Sequence, residues 1–169
     1  MVDESNIRTI LALLNQSIDL LYENDHFLIK NGVHEQDISH RIAYYLENLL
    51  RSHDWFVKSR YSIDVEYNRN LNNTKKFYDN CSNKEIKCRP DIIIHERGVH
   101  KFNLIVIEIK KGENYSENDF SKLCALTNEQ LNYKYKLGIF INITSQKSEL
   151  QYKYFKNGQA VSEAVLQLS

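Results

Sequence analysis

The sequence contains little proline and no excess of either charge. Its 169 residues include one proline and five glycines, and 22 basic residues balance 22 acidic ones. A net charge of zero gives no whole-chain argument for binding a polyanion, so any basic surface must be local. Hydrophobic residues make up 42% and charged residues 26%, which is typical of a folded chain and not of a disordered one. Since no Pro/Gly/Ser-rich linker interrupts the chain, we predict that residues 1–169 form a single domain.

Long apolar runs and a regular cysteine pattern are also missing. The longest apolar runs, such as residues 104–107, fall far short of the roughly 20 residues that span a bilayer. The first residues lack the basic-then-apolar order of a secretion signal. Three irregularly spaced cysteines (Cys81, Cys88 and Cys124) argue against a disulfide framework, and the first two are too far apart for a zinc knuckle. We therefore expect a cytoplasmic protein with no membrane partner.

Hydrophobic periodicity predicts the secondary structure. The predicted elements are, in order, helices over 5–23 and 34–52 separated by a break at Asn31-Gly32, strands over 55–67, 90–95 and 102–110, a helix over 117–128, a strand over 137–143 and a hairpin over 150–162 turning at Asn157-Gly158. Residues 68–88 are polar without a clear period, which favours a loop or a hairpin tip. The strands over 90–95 and 102–110 are apolar on both faces, which predicts central positions in the sheet.

This order predicts an α/β fold with a mixed central β-sheet flanked by helices. We assign residues 1–30 to an N-terminal helical addition, 34–143 to the core and 144–169 to the C-terminal hairpin. The apolar stripe of the first helix predicts core packing, with a partner contact as the alternative.

Charged residues interrupt the two most apolar strands. Glu108 and Lys110 are two residues apart, so both side chains lie on one face of a strand. Asp91 begins the preceding strand, and an antiparallel pairing of the two strands would place it beside Glu108. Two adjacent carboxylates favour a hard cation such as Mg²⁺, which can activate a water, and a nearby lysine can neutralise charge on a phosphate. The pattern therefore indicates phosphodiester hydrolysis.

Pro90-Asp91 followed by Glu108-Ile109-Lys110 resembles the PD-(D/E)XK motif of the restriction-endonuclease-like nucleases. The resemblance covers residues 35–143, where the predicted order matches the α-βββ-α-β core of that superfamily. It implies that Asp91, Glu108 and the carbonyl of Ile109 hold Mg²⁺ or Mn²⁺ and that Lys110 acts on the attacking water. It also implies a metal-binding role for Glu35, an acid that extends the apolar stripe of the second helix.

Simpler interpretations of these residues stay open. Asp91, Glu108 and Lys110 could form a salt bridge at the sheet rim, and Glu35 could complement a helix dipole. Asp64 and Glu66 share the polar face of a strand, and we interpret them as solvated, with a role in supporting the site residues as the alternative. Further residues are candidate substrate contacts, with solvated surface or a structural histidine as the alternative: Arg69, Lys75, Lys76, His95, Lys111 and Lys122.

The function that these observations predict is metal-dependent hydrolysis of nucleic acid, most simply DNA. The alternatives are an RNA endonuclease and a catalytically silent module on the same fold that binds nucleic acid or protein. Because the net charge is zero, a homodimer or a partner subunit could supply part of the binding affinity for the substrate.

Overall fold

The computed structural model of the chain describes residues 4–31, 33–71, 73–79, 84–99, 102–112 and 117–164. Two residues named above, Gly32 and Cys81, lie outside these ranges. The helices of the described part are α1 (Glu4–Asn24), α2 (His26–Lys30), α3 (Glu35–Leu50), α4 (Asp54–Val57), α5 (Glu117–Thr127) and a short 3₁₀ helix (Lys147–Glu149). No helix in these ranges combines the length and the apolar character needed to cross a bilayer.

The strands form one large sheet and two small ladders. They are β1 (Tyr61–Val65), β2 (Arg69–Asn70), β3 (Asn73–Thr74), β4 (Lys76–Asp79), β5 (Lys84–Lys87), β6 (Ile92–Glu96), β7 (Asn103–Lys111), β8 (Leu137–Ile143), β9 (Gln151–Lys156) and β10 (Gln159–Val161). The six-stranded sheet has the order β1-β6-β7-β8-β9-β10, and β2–β3 and β4–β5 pair separately. The chain therefore has a mixed α/β fold with β6 and β7 inside the sheet, as their apolar faces predicted.

The sheet is mixed because one connection is a crossover. β7 and β8 run parallel and are joined through α5, whereas every other neighbouring pair in the sheet is antiparallel. A parallel pair requires such a crossover, since a tight turn reverses the chain. The pairing of β6 with β7 places Ile92 opposite Ile107. The start of β6 therefore lies at the end of β7, as expected for the motif residues.

Helices α1 and α3 cover one face of the sheet. Four apolar residues of the α1 stripe are buried, and they pack in the same apolar cluster as α3 and the residues of β7 that face it. This confirms the core packing predicted for the α1 stripe. The burial is the main source of helix stability here, because isolated helices of this length are only marginally stable in water. The buried α1 residues are Ile10, Leu14, Ile18 and Leu21.

Helix α5 covers the other face. Leu123 and Leu126 of α5 pack with Ile93 of β6 and Val106 of β7 in a second apolar cluster. Since side chains alternate along a strand, Glu108 follows Val106 onto this face, beneath α5. The crossover helix thus positions its polar residues over the charged end of β7.

Two parts of the predicted order are wrong. The strand predicted over 55–67 begins only at Tyr61, because α4 comes first and turns Phe56 into the core. Helix α2 was not predicted, because five residues are too few to show a helical period.

The polar segment 68–88 contains the two small ladders. The turn at Asn157-Gly158 joins β9 to β10 with φ values of 54° and 80°, the positive values that favour this dipeptide in a two-residue turn.

Candidate functional site

Asp91 is fixed against the end of β7. Its Oδ2 accepts a hydrogen bond of 2.6 Å from the backbone N–H of Ile109, and the antiparallel register places it beside Glu108. Burial raises the pKa of Asp91 to about 6, although the Ile109 N–H, Lys122 and Lys110 act in the opposite direction. The sheet therefore holds this carboxyl where ionisation is costly unless a cation lies close by.

Glu108 is the most deeply buried acid of the site, with 2% of its surface exposed. Its Oε2 accepts a hydrogen bond of 2.6 Å from Nζ of Lys122, while its buried Oε1 has no hydrogen-bond partner among the described residues. Burial acts to raise the pKa of Glu108 and the ammonium of Lys122 acts to lower it. A buried, half-satisfied carboxylate destabilises a fold unless something fills the open position.

Lys110 connects the end of β7 to the start of α3. Its Nζ lies 2.8 Å from Oε2 of Glu35 and 4.0 Å from Oδ2 of Asp119. The backbone N–H of Lys111 also donates to Oε1 of Glu35, at 3.3 Å. Glu35 is the first residue of α3, so its side chain reaches past the helix end to the sheet rim. The structure thus brings Glu35, Asp91, Glu108 and Lys110 to one end of the sheet.

Two residues of α5 complete the charged cluster. Lys122 is largely buried and contacts both Glu108 and, at 3.8 Å, Asp119. Burial lowers the pKa of Lys122, but the attraction of Glu108 outweighs it and the net change is upward. We therefore regard Glu108 and Lys122 as an ion pair. Asp119 was not predicted, because an acid in the first turn of a helix normally complements the helix dipole. Only the packing of α5 on β7 shows that Asp119 is buried.

The other candidate contacts do not join this cluster. Lys76 forms an exposed ion pair with Glu85, Arg69 is exposed, and Nζ of Lys111 donates to the carbonyl of Leu28. Lys75 is buried, so it is not the exposed loop lysine that the charge pattern suggested.

His95 lies on the same face of β6 as Asp91, but at the opposite end of the strand. Its Nε2 lies 2.8 Å from Oδ2 of Asp64, and Arg97 pairs with the same carboxylate. The interpretation of Asp64 as solvated is therefore wrong. The hydrogen bonds from Arg97 and His95 hold the pKa of Asp64 well below its usual range despite its burial. Glu66 is also paired, with Gln36 and Arg89.

The donor set meets part of what a divalent cation requires. Among the described residues, no set of three or more His, Cys, Asp or Glu side chains is arranged to hold a metal ion. Asp91 and Glu108 offer two carboxylates, and the carbonyl of Ile109 is a further oxygen donor of the kind Mg²⁺ accepts. The unpartnered Oε1 of Glu108 is the feature that fits a cation best. Glu35 is bound to Lys110 instead of being grouped with these donors.

No protein-family model matches the chain, and no curated protein matches it. The crystal structure of SSO0001 is similar over 93% of this chain and 69% of the other, with 16% sequence identity and a TM-score of 0.38. A similarity at this level carries no argument about the fold or the function of the chain.

Proposed function

We propose that this chain is a metal-dependent nuclease with a restriction-endonuclease-like core, acting most simply on DNA. The observation that carries the proposal is that the buried carboxyl of Glu108, the partly buried carboxyl of Asp91 and the ammonium of Lys110 lie together at one end of the central strands. A cytoplasmic location is part of the same proposal, because the odd, irregular cysteine pattern suits a reducing compartment.

The order of elements supports the proposed core. Helix α3, strands β1, β6 and β7, helix α5 and strand β8 follow one another as α-βββ-α-β, with the β2–β5 ladders inserted between β1 and β6. The motif residues occupy adjacent antiparallel strands, and β7 and β8 form the parallel pair.

The electrostatics of the carboxyls support a cation site. Burial opposes ionisation of both Asp91 and Glu108, and Oε1 of Glu108 has no hydrogen-bond partner. A divalent cation would remove both penalties, since it favours the ionised form and offers the missing partner. Asp91, Glu108 and the Ile109 carbonyl would hold it. When bound, the cation would supply a Lewis acid and lower the pKa of a water.

The lysines have separate roles in this proposal. Lys110, held by Glu35 and facing Asp119, would orient the attacking water and neutralise charge that builds on the phosphate. Lys122 would keep Glu108 ionised until substrate and cation arrive. Hydrolysis consumes one water: its oxygen bonds to phosphorus, the bond from phosphorus to the leaving oxygen breaks, and that oxygen takes up a proton.

One observation favours a second candidate, a catalytically silent module on the same fold. The ammonium of Lys122 already neutralises Glu108, and the described residues contain no group of three metal-binding acids, histidines or cysteines. A chain in which this ion pair is permanent would bind nucleic acid or a protein without cleaving it.

The test is cleavage by the purified chain of supercoiled plasmid, linear duplex, single-stranded DNA and RNA, with Mg²⁺, Mn²⁺ or EDTA. The proposal expects metal-dependent cleavage of at least one substrate, and the panel names the substrate class, RNA included. Asp91→Asn, prepared in parallel, must lose the activity, which excludes a contaminating nuclease.

Metal-dependent thermal stabilisation separates the two candidates if no substrate is cleaved. A ligand that binds only the folded state raises the midpoint of unfolding, so Mn²⁺ stabilisation that Asp91→Asn abolishes supports the nuclease site. The absence of both cleavage and stabilisation would overturn the nuclease proposal in favour of the silent module.

A further inference from the structure

A second polar site lies at the opposite end of the sheet from the carboxyls. It is a cavity of ≈ 20 Å³ on the face that α5 covers, and Asn103, the first residue of β7, is part of its wall. A cavity of this size accommodates about one water-sized group. Glu108 lies five residues after Asn103 in β7, which corresponds to about 17 Å along a strand. Asp91, Glu108 and Lys110 do not line the cavity, which is therefore distinct from the proposed catalytic site.

The centre of this cavity is a buried lysine. Lys75 is 2% exposed, and its Nζ donates a 3.0 Å hydrogen bond to the hydroxyl of Tyr135. The same nitrogen lies 5.6, 5.6 and 5.3 Å from the ring centroids of Tyr67, Tyr133 and Tyr135. Three aromatic rings thus surround one ammonium, within the range at which a ring face attracts a cation.

The ammonium of Lys75 is not fully compensated by the protein. An ammonium has three N–H donors, and the described residues provide one hydrogen bond to it and no ion pair. Cation–π contacts replace only part of the lost hydration. Burial accordingly lowers the pKa of Lys75 to about 8. Buried lysines usually have an anionic partner, and here the position next to the ammonium is open.

The mouth of the cavity suits an anion attached to a larger molecule. Arg69 adds a second positive charge, and Leu71 and Val99 are exposed apolar side chains at the opening, at 51% and 39%. Asp64, a carboxylate whose charge acts on Lys75, is already hydrogen-bonded to His95 and paired with Arg97. The open side of the site is therefore positive at its base and apolar around its rim.

We propose that this cavity is a phosphate-binding site in which a phosphate oxygen enters beside Lys75 and Arg69, while the rest of the ligand lies over Leu71 and Val99. The phosphate can come from a nucleic-acid strand or from a small phosphorylated molecule. The strand as its source rests on the proposed nuclease function, but the phosphate site itself does not. Because Asp91, Glu108 and Lys110 do not line this cavity, the phosphate bound here is not the one that is cleaved.

The test compares two neighbouring lysines. Lys75→Met keeps the length of the side chain and removes the charge, whereas Lys76→Met alters a partly exposed lysine that pairs with Glu85. Thermal unfolding is followed in EDTA with inorganic phosphate, at ionic strength matched with chloride. Phosphate is expected to stabilise the wild type, and the phosphate affinity of Lys76→Met should lie within about twofold of the wild-type value. Lys75→Met should bind phosphate at least about tenfold more weakly, because it loses a charge-assisted hydrogen bond.

Lys75→Met remains folded on this account, because replacing an uncompensated buried charge with an apolar side chain is often neutral or stabilising. An equal phosphate response in wild type and Lys75→Met would overturn the proposal, as would the absence of any response in the wild type. Tighter binding of a 5′-phosphorylated than a 5′-hydroxyl oligonucleotide, abolished in Lys75→Met, would identify a strand end as the source. Preference for a mononucleotide would identify a small molecule. These measurements exclude metal and cleavage, so they succeed or fail independently of the nuclease proposal.

Discussion

Lys122 Nζ lies 2.6 Å from Oε2 of Glu108, and the other oxygen of that carboxylate has no hydrogen-bond partner in the described part of the chain. The crossover helix thus provides one positive charge for the buried Glu108 and the partly buried Asp91, and half of the Glu108 carboxylate remains open. In the proposed enzyme, this ion pair offsets the free-energy cost of burying Glu108 before a cation binds.

Lys122→Met is expected to lower the free energy of unfolding by about 3 kcal/mol in EDTA, because it leaves Glu108 buried without a counter-charge. Mn²⁺ is expected to recover more stability in this variant than in the wild type, since the cation then replaces the lost charge. Urea unfolding with and without Mn²⁺ measures both effects. In the control variant Glu108→Gln/Lys122→Met, the Mn²⁺ effect should disappear. Equal Mn²⁺ effects in all three proteins would contradict a cation at Glu108.

The stability of the metal-free protein is expected to fall as the pH rises from about 4 to about 7. Burial raises the pKa of Asp91 to about 6, so the folded state binds more protons at this carboxyl than the unfolded chain does. The stabilisation is fully present below the unfolded pKa and is lost as the pH rises through the folded one, on the order of a few kcal/mol in total. Urea unfolding across this range in EDTA tests it.

Saturating Mg²⁺ should flatten or reverse this slope, because the cation binds the ionised carboxylates. The variant Asp91→Asn should show little slope in EDTA. Asp64 does not interfere, since its pKa is lowered and its contribution is lost only as the pH falls further into the acidic range. A stability that rises between about pH 4 and pH 7 in EDTA would contradict the raised pKa of Asp91.

Asp64→Asn is expected to cost about 3 kcal/mol, because it removes the shared partner of His95 and Arg97 inside the fold. Asp54→Asn is the matched control. Its carboxylate is 88% exposed in an ion pair with Lys58, so the expected cost is below about 0.5 kcal/mol. Urea unfolding at neutral pH compares the two. Similar costs would mean that the Asp64 cluster is as weak as a surface pair.

Leu14→Ala is expected to destabilise the chain by about 3 kcal/mol, because Leu14 lies in the core between α1 and α3. Leu13, its neighbour in the same helix, is only partly buried, so Leu13→Ala should cost about 1 kcal/mol. Thermal or urea unfolding gives both values. A small effect at Leu14 would mean that α1 is not an integral part of the core.

The sequence predicted the parts of the fold that depend on local periodicity. Strand β8 matches its predicted bounds, and the Asn157-Gly158 turn is where its dipeptide indicated. The antiparallel register that places Asp91 beside Glu108 also followed from strand order and a short connection. These features could be predicted because each is encoded within a few neighbouring residues.

The parts that were missed depend on contacts between distant segments. Lys75 lies in a polar stretch, and its burial comes from Tyr133 and Tyr135, about 60 residues later in the chain. Asp119 is at a helix start, where exposed acids are common, and it is buried only because α5 crosses the end of β7. Asp64 occupies an alternating strand position that is typical of a solvent-facing residue. It is paired instead, because the side chain of His95, which lies opposite Ser62 on the adjacent strand, contacts the Asp64 carboxylate.

The central claim is tested most directly by the rate of metal-dependent DNA cleavage in Lys110→Met, compared with wild type and with Lys58→Met. Lys58 is an exposed lysine far along the chain from the motif, so its variant controls for loss of a surface charge. The account predicts that Lys58→Met cleaves DNA at the wild-type rate. In Lys110→Met, the cleavage rate falls by at least about a hundredfold while the thermal stability stays similar, because one group that stabilises the transition state has been removed. Full cleavage by Lys110→Met would contradict the assignment of this site as the active site of a nuclease.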